Sequence, residues 1–293
     1  LYTDFPGLEG FKRVRGDVEF LDEVQPGTTI YTVVLGGFLN GSYFYFGTLT
    51  DLPRNTGRRG SHVREDSPGL VFTRFGTDSV FDLRAEGDGH WLASDHEGQH
   101  VSVRYAYRAL KGRFTFTLEQ TDRDEVGVWV TAAVRDHAAG RTVTVGSLRF
   151  PGRELRFDRS QLGAFVEYYG WKDGKGGLMP FGQIPAVRAV VGNWEADGRP
   201  LVPTGVRAVH PKRVPQRGKA FMAGVAPDAA VAGHSAEMAR PLNVVLTTRP
   251  DDQRRDTRWY STVRHPDGSE SWCETLYPYP IGDSPKPVPA WKR

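Results

Sequence analysis

Apolar and polar residues alternate with a period of two through much of the chain. Val101-Ser102-Val103-Arg104-Tyr105-Ala106-Tyr107 puts Val101, Val103, Tyr105 and Tyr107 on one face and Ser102 and Arg104 on the other. Phe114-Thr115-Phe116-Thr117-Leu118 repeats the pattern after Lys111-Gly112, a hairpin turn. Val126, Val128 and Val130 share a face, which sends Trp129 to the opposite one. The β-branched and aromatic run Thr29 to Leu35, the run Ser42 to Phe46 and the stretch Thr142 to Val145 read as further strands. Later strands are expected over 186–191, 205–209, 243–248, 259–264 and 271–276, with Pro266-Asp267-Gly268 turning the last pair.

These strands recur every ten to fifteen residues without βαβ alternation, which predicts an all-β, two-sheet β-sandwich or jelly roll with few short helices. The Ala-rich stretch Asp228 to Ala239 is the one helix candidate, weakened by Gly233. The 34 glycines and 20 prolines agree with many turns and few long helices. One sandwich unit over 1–276 is expected, with a sub-boundary near 158–162. A Pro-rich tail follows over 277–293, unsuited to a central strand.

A net charge of +3 is too small for a general nucleic-acid footprint, so no nucleic-acid partner is expected. No run of 18 apolar residues exists, so no helical membrane span is expected. Cys273 is the only cysteine, which excludes an intrachain disulfide and a cysteine-rich zinc site within these residues.

The order of several segments resembles a bacterial family known as domain-of-unknown-function family 3472. Tyr43-Phe44-Tyr45-Phe46-Gly47 is similar to its aromatic-glycine strand, and Leu70 to Phe75 to its next strand. Glu86-Gly87-Asp88-Gly89 resembles its acidic glycine turn, and Tyr105 to Phe116 its aromatic hairpin. Val145 to Pro151, Ala164-Phe165-Val166-Glu167 and Gly192-Asn193-Trp194 resemble its later segments. Gly76-Thr77-Asp78 stands where the family has Trp-Asp, and Tyr168 where it has Asn. The resemblance spans roughly residues 30–210. It implies a concanavalin-like jelly roll, a carbohydrate partner and a secreted or periplasmic setting.

Four constellations carry candidate chemistry. In Phe165-Val166-Glu167-Tyr168-Tyr169-Gly170-Trp171, alternation sets Glu167, Tyr169 and Trp171 on one face. Rings stack on sugar faces, and ring desolvation would raise the carboxyl's pKa and suit it to acid work. The competing reading is a core strand with Glu167 in a structural ion pair. Glu86 to His100 gathers His90, His96 and His100 with several acids. No cofactor is expected there, although such an oxygen-rich loop can take Ca²⁺; a solvated hairpin loop is the plainer reading. Arg104 can clamp a uronate or phosphate if its face is the ligand face. Arg188, Asn193 and Trp194 form the fourth group, with Trp194 either a stacking platform or a core ring.

These residues suggest a carbohydrate-active enzyme, a glycoside hydrolase or a polysaccharide lyase. A hydrolase needs two carboxyls about 5–10 Å apart, for which Glu167 and Glu86 are the candidates. A lyase would use Tyr169 or His100 as base with Arg104. Trp171, Trp194, Tyr168, Asn193, Arg188 and His90 are the candidate substrate contacts. A non-catalytic carbohydrate-binding module is an alternative. So is a lyase, isomerase or cyclase acting on a small apolar substrate inside the cell.

Overall fold

In the computed structural model, the described residues are 2–5, 8, 10–28, 30–50, 52–55, 62–65, 68–86, 90–95, 98–108, 110–158, 161–168, 187–202, 205–207, 219–222, 235–238, 243–247, 258–264 and 270–276. The chain is an all-β sandwich of two large antiparallel sheets.

The first sheet has eight strands. It takes β1 (Tyr2–Asp4), β3 (Ile30–Leu39), β4 (Ser42–Leu49) and β7 (Gly69–Phe75). It also takes β9 (His90–Asp95), β10 (Gly98–Ala106), β14 (Gln161–Tyr168) and β17 (Gly205–Arg207). The spatial order is β17-β1-β14-β3-β4-β7-β10-β9. The second sheet holds β2 (Arg13–Phe20), β8 (Leu83–Ala85), β11 (Gly112–Arg123), β12 (Gly127–Asp136) and β13 (Arg141–Pro151). It is completed by β15 (Arg188–Ala196), β18 (Lys219–Met222) and β19 (Val244–Thr247), in the order β18-β19-β15-β2-β11-β12-β13-β8. A ninth, two-residue strand, β16 (Arg199–Pro200), pairs with β15 off this path. Two hairpins stand apart: β5 (Leu52–Asn55) with β6 (His62–Glu65), and β20 (Arg258–Arg264) with β21 (Glu270–Leu276).

The period of two explains the core. Phe44 and Phe46 of β4, Phe72 of β7 and Val101 and Val103 of β10 point inward from the first sheet and are fully buried. They meet Phe114, Phe116, Val128, Val130, Leu148 and Phe150 of the second. Phe46 and Phe116 touch across the layers at 4.8 Å between ring centroids, and Phe72 stacks on Phe150 at 6.0 Å. Each such ring contributes roughly 2–3 kcal/mol of burial. Val126, expected on the core face with Val128 and Val130, instead precedes β12 and is 65% exposed; Trp129 opposes Val128 and Val130 as expected. Its indole lies on the outer face of the second sheet, 3.6 Å beneath the Arg84 guanidinium, and donates to Asp124 at 2.9 Å.

Strands on both sides of 158–162 share the same two sheets, since β14 pairs with β1 and β3. Within the Asp228–Ala239 helix candidate, residues 235–238 form a turn, and the remainder lies outside the described residues. The tail over 277–293 lies outside them too. Among the described residues no helix is long and apolar enough to cross a membrane.

Candidate functional site

The outward face of the eight-stranded sheet carries four of the sequence candidates. Cross-strand partners share a face. Glu167 lies opposite Tyr31, Arg104 opposite both Val71 and His90, and His100 opposite Phe75. A connected set of rings runs over this face. Tyr31 meets Tyr45 at 5.1 Å, Tyr43 meets Phe38 at 5.3 Å and Phe75 at 5.4 Å, and Phe75 meets His100 at 5.6 Å. These rings are not the ones expected beside Glu167, namely Tyr169 and Trp171; Glu167 itself is exposed on this face.

The charged candidates do not converge, however. β14 and β10 are four strand spacings apart, or about 19 Å at about 4.8 Å each, so Glu167 is remote from His100 and Arg104. Both of the latter are buried, at 1% and 4% exposure, and Arg104 Nε donates to Ser102 Oγ at 3.1 Å. Glu86 follows β8, in the other sheet and against β10. Glu167 stands on a strand of the eight-stranded sheet, whereas Glu86 lies just after β8 of the nine-stranded one, and among the described residues no strand pairing brings the two together.

Tyr169 and Trp171 lie outside the described residues. Tyr168 ends β14 opposite Ile30. Arg188 grips Asp22, with Nη2–Oδ1 at 2.7 Å and Nε–Oδ2 at 2.9 Å; that hydrogen-bonded pairing raises its pKa. Trp194 is the core alternative of its two readings: it is 4% exposed and its ring lies 5.4 Å from Phe5.

Asn193 leads to a site that the sequence reading did not assemble. A cleft of about 740 Å³ opens on the outward face of the nine-stranded sheet. Its lining includes Arg15, Asp17, Arg113, Thr115, Arg135, His137, Asn193 and Glu195. The strand pattern puts them there. Val14, Gly16 and Val18 of β2 face the core, so Arg15 and Asp17 face out; Phe114 and Phe116 of β11 do the same for Arg113, Thr115 and Thr117. Asp17 pairs across to Thr115, Thr115 to Arg135, and Arg135 to Thr142, forming one transverse row.

A bulge in β15 between Gly192 and Glu195 completes the wall. Asn193 adopts φ 49°, in the left-handed region, which Asn tolerates better than most residues. Its backbone N–H donates to Asn243 Oδ1 at 3.0 Å, and Asn243 Nδ2 donates back to Asn193 Oδ1 at 3.2 Å. Gly192 permits this approach, because a Cβ there would lie 1.8 Å from Asn243 Oδ1.

Asp17 is the hub of the floor, although it is only 4% exposed. Its Oδ2 accepts from Arg113 Nη2 at 2.7 Å, Arg113 Nε at 3.0 Å and Asn193 Nδ2 at 3.0 Å. Its Oδ1 accepts from Thr115 Oγ1 at 2.6 Å, and that hydroxyl lies 2.8 Å from His137 Nε2. Glu195 is bound by Arg15. Burial first, and then the nearby Arg113 charge, push the His137 pKa below its ordinary value; Asp17 opposes this. An imidazole so tuned is neutral at pH 7 and able to accept a proton.

Among the described residues no group of three or more His, Cys, Asp or Glu is arranged to hold a metal ion. His96, one of the histidines in the loop considered for Ca²⁺, lies outside those residues. The chain matches no protein-family model, and no curated protein matches it.

The sequence signal for the cleft was present in Arg13-Val14-Arg15-Gly16-Asp17-Val18-Glu19, an alternation that puts four charges on one face of a strand. An isolated outer strand carries such charges at little cost. Only pairing with β11 and β15 turns them into a floor.

Proposed function

We propose that this protein is a carbohydrate-active enzyme that cleaves a glycan in the cleft of the nine-stranded sheet. The observation that carries the reading is the cleft itself. It is open and large enough for a few sugar units, and it is lined by hydrogen-bonding side chains around a histidine of lowered pKa. Hydroxyl-rich ligands need donors and acceptors held in place, and the Asp17-centred network holds Arg113, Thr115, Asn193 and His137 fixed. A perturbed titratable group in a cleft lined by convergent polar side chains supports an active-site reading.

A second reading, glycan binding without turnover, is favoured by the ring set around Tyr31, Tyr43 and Phe75 on the opposite sheet. The two readings separate in one assay. Release of reducing ends from a panel of neutral and acidic polysaccharides is measured for the wild type, Thr117→Trp and Glu167→Gln. Thr117 is half-buried in the cleft lining, and an indole there narrows the cleft. The cleft reading expects Thr117→Trp to lose activity and Glu167→Gln to keep it. The reverse pattern moves the site to the other sheet, and binding to the panel with no product selects the non-catalytic reading.

A further inference from the structure

We infer that the cleft takes uronate-containing glycans and cleaves them by β-elimination, with His137 as the base, Arg135 as the partner of the uronate carboxylate and Thr115 as the residue that positions His137. The inference rests on the proposed glycan-cleaving role of the cleft and names its substrate class.

The charges of the cleft select an anion. Three arginines and two carboxylates line it. Both carboxylates are engaged, Asp17 by Arg113 and Glu195 by Arg15. Arg135 is exposed, and among the described residues no carboxylate pairs with it. It lines the cleft, and a guanidinium fork can bind a carboxylate through two parallel hydrogen bonds. A neutral sugar offers only uncharged hydroxyls to it, a weaker pairing than a carboxylate makes.

The same accounting disfavours hydrolysis. A glycosidase needs a carboxyl free to donate a proton and a second carboxylate opposite it. Here each acid already faces a guanidinium. A histidine beside an arginine suits proton abstraction next to a carboxylate instead.

The tautomer follows from Thr115. An Asp17 carboxylate that takes hydrogen bonds from Arg113 and Asn193 is an acceptor, so the single Thr115 hydroxyl proton points to Asp17. The hydroxyl oxygen must then accept from His137, which puts the ring proton on Nε2 and the lone pair on Nδ1. Arg135 stands directly across from Thr115, two residues before His137 on the same strand end, or about 7 Å along the chain.

The reaction balances within the substrate. His137 Nδ1 takes the proton from C5, the carbon bearing the carboxylate. Arg135 holds the charge that spreads onto the carboxylate oxygens. The C4–O4 bond breaks, its electron pair leaves on O4, and the pair from the C5–H bond forms the C4=C5 double bond. The proton on His137 passes to the departing O4. Nothing else is added or consumed.

The test incubates the full chain with polygalacturonate, alginate, hyaluronan and a neutral glucan, reading the ultraviolet absorbance of the unsaturated product and reducing ends in parallel. Absorbance and reducing ends are expected to rise together on an acidic polymer and not on the glucan. His137→Gln should lower kcat by about 100-fold or more, and Arg135→Gln should lower kcat/KM by a similar factor, both with unchanged thermal unfolding. Thr115→Val should lower kcat at unchanged KM and move the acid limb of the pH profile, which reflects His137 among Arg113, Asp17, Arg135, Asp136 and Glu237. Thr115→Ser should restore both. Reducing ends without absorbance would overturn the elimination while leaving glycan cleavage standing. Neither signal on any polymer would overturn glycan cleavage itself. Absorbance that survives His137→Gln would remove His137 as the base.

Discussion

Asp17→Asn probes the hub of the cleft, and its cost can be worked from the contacts. The carboxylate is buried and receives four hydrogen bonds, two from Arg113 and one each from Thr115 and Asn193. The substitution keeps the volume but removes the charge and turns one acceptor into a donor. That donor faces either the guanidinium or the Thr115 hydroxyl. Breaking one side of a buried ion pair costs about 3–5 kcal/mol. The Arg113 side chain is 25% exposed and can regain water, so the cost falls below that range, to about 2–3 kcal/mol. Urea unfolding is the assay. With a slope of about 2 kcal/mol per molar, the midpoint should fall by roughly 1 M at unchanged slope. The double variant Asp17→Asn/Arg113→Gln should lose less than the sum of the single losses, because the unpaired guanidinium is gone. A loss below about 0.5 kcal/mol for the single variant, or strict additivity in the pair, would refute the hub.

Other expectations concern the core and the wall. Phe116→Ala removes a fully buried ring that touches Phe46 across the layers; it should cost about 3–5 kcal/mol in the same urea assay. Gly192→Ala drives a methyl into Asn243 and should cost about 1–3 kcal/mol, with loss of glycan cleavage as the Asn193 wall moves. Because the His137 pKa is lowered on folding, the unfolded chain binds the proton more readily. Stability should therefore fall as pH drops from the ordinary imidazole value of about 6.5 toward the lowered one. Thermal unfolding of His137→Gln across that window should show a shallower slope than the wild type.

The strands were legible because inward-facing residues must be apolar at every second position. Val101 and Val103, Phe114 and Phe116, and Val128 and Val130 each face the core as their alternation implies. Strand lengths were less legible: β11 runs from Gly112 to Arg123, well past Leu118, because polar outward residues continue pairing with β12. Arg13–Phe20 was missed as a strand, since charges at alternate positions hide its core face of Val14, Gly16 and Val18. The ring set of the first sheet, in which Tyr43 and Tyr45 both meet Phe75, was not read from the sequence, where the alternation at Glu167 pointed to Tyr169 and Trp171. Distances between strands were not legible either. Glu167 and Glu86 look like partners along the sequence, yet pairing order separates them by sheet. The cleft draws on β2, β11, β12 and β15, so its residues are distant in sequence and adjacent only through register. Asn193 was found by its neighbours in the Gly-Asn-Trp motif. The bulge that turns Trp194 inward while Asn193 faces the cleft has no sequence mark beyond Gly192.

The most direct measurement is amide hydrogen exchange with and without an acidic oligosaccharide, because the two outward faces lie on different strands. The account predicts added protection in peptides covering Arg13–Phe20, Gly112–Arg123, Gly127–Asp136 and Arg188–Ala196. Protection confined to peptides covering Ile30–Leu39, Ser42–Leu49 and Gln161–Tyr168 would contradict it and return the site to the ring-covered sheet.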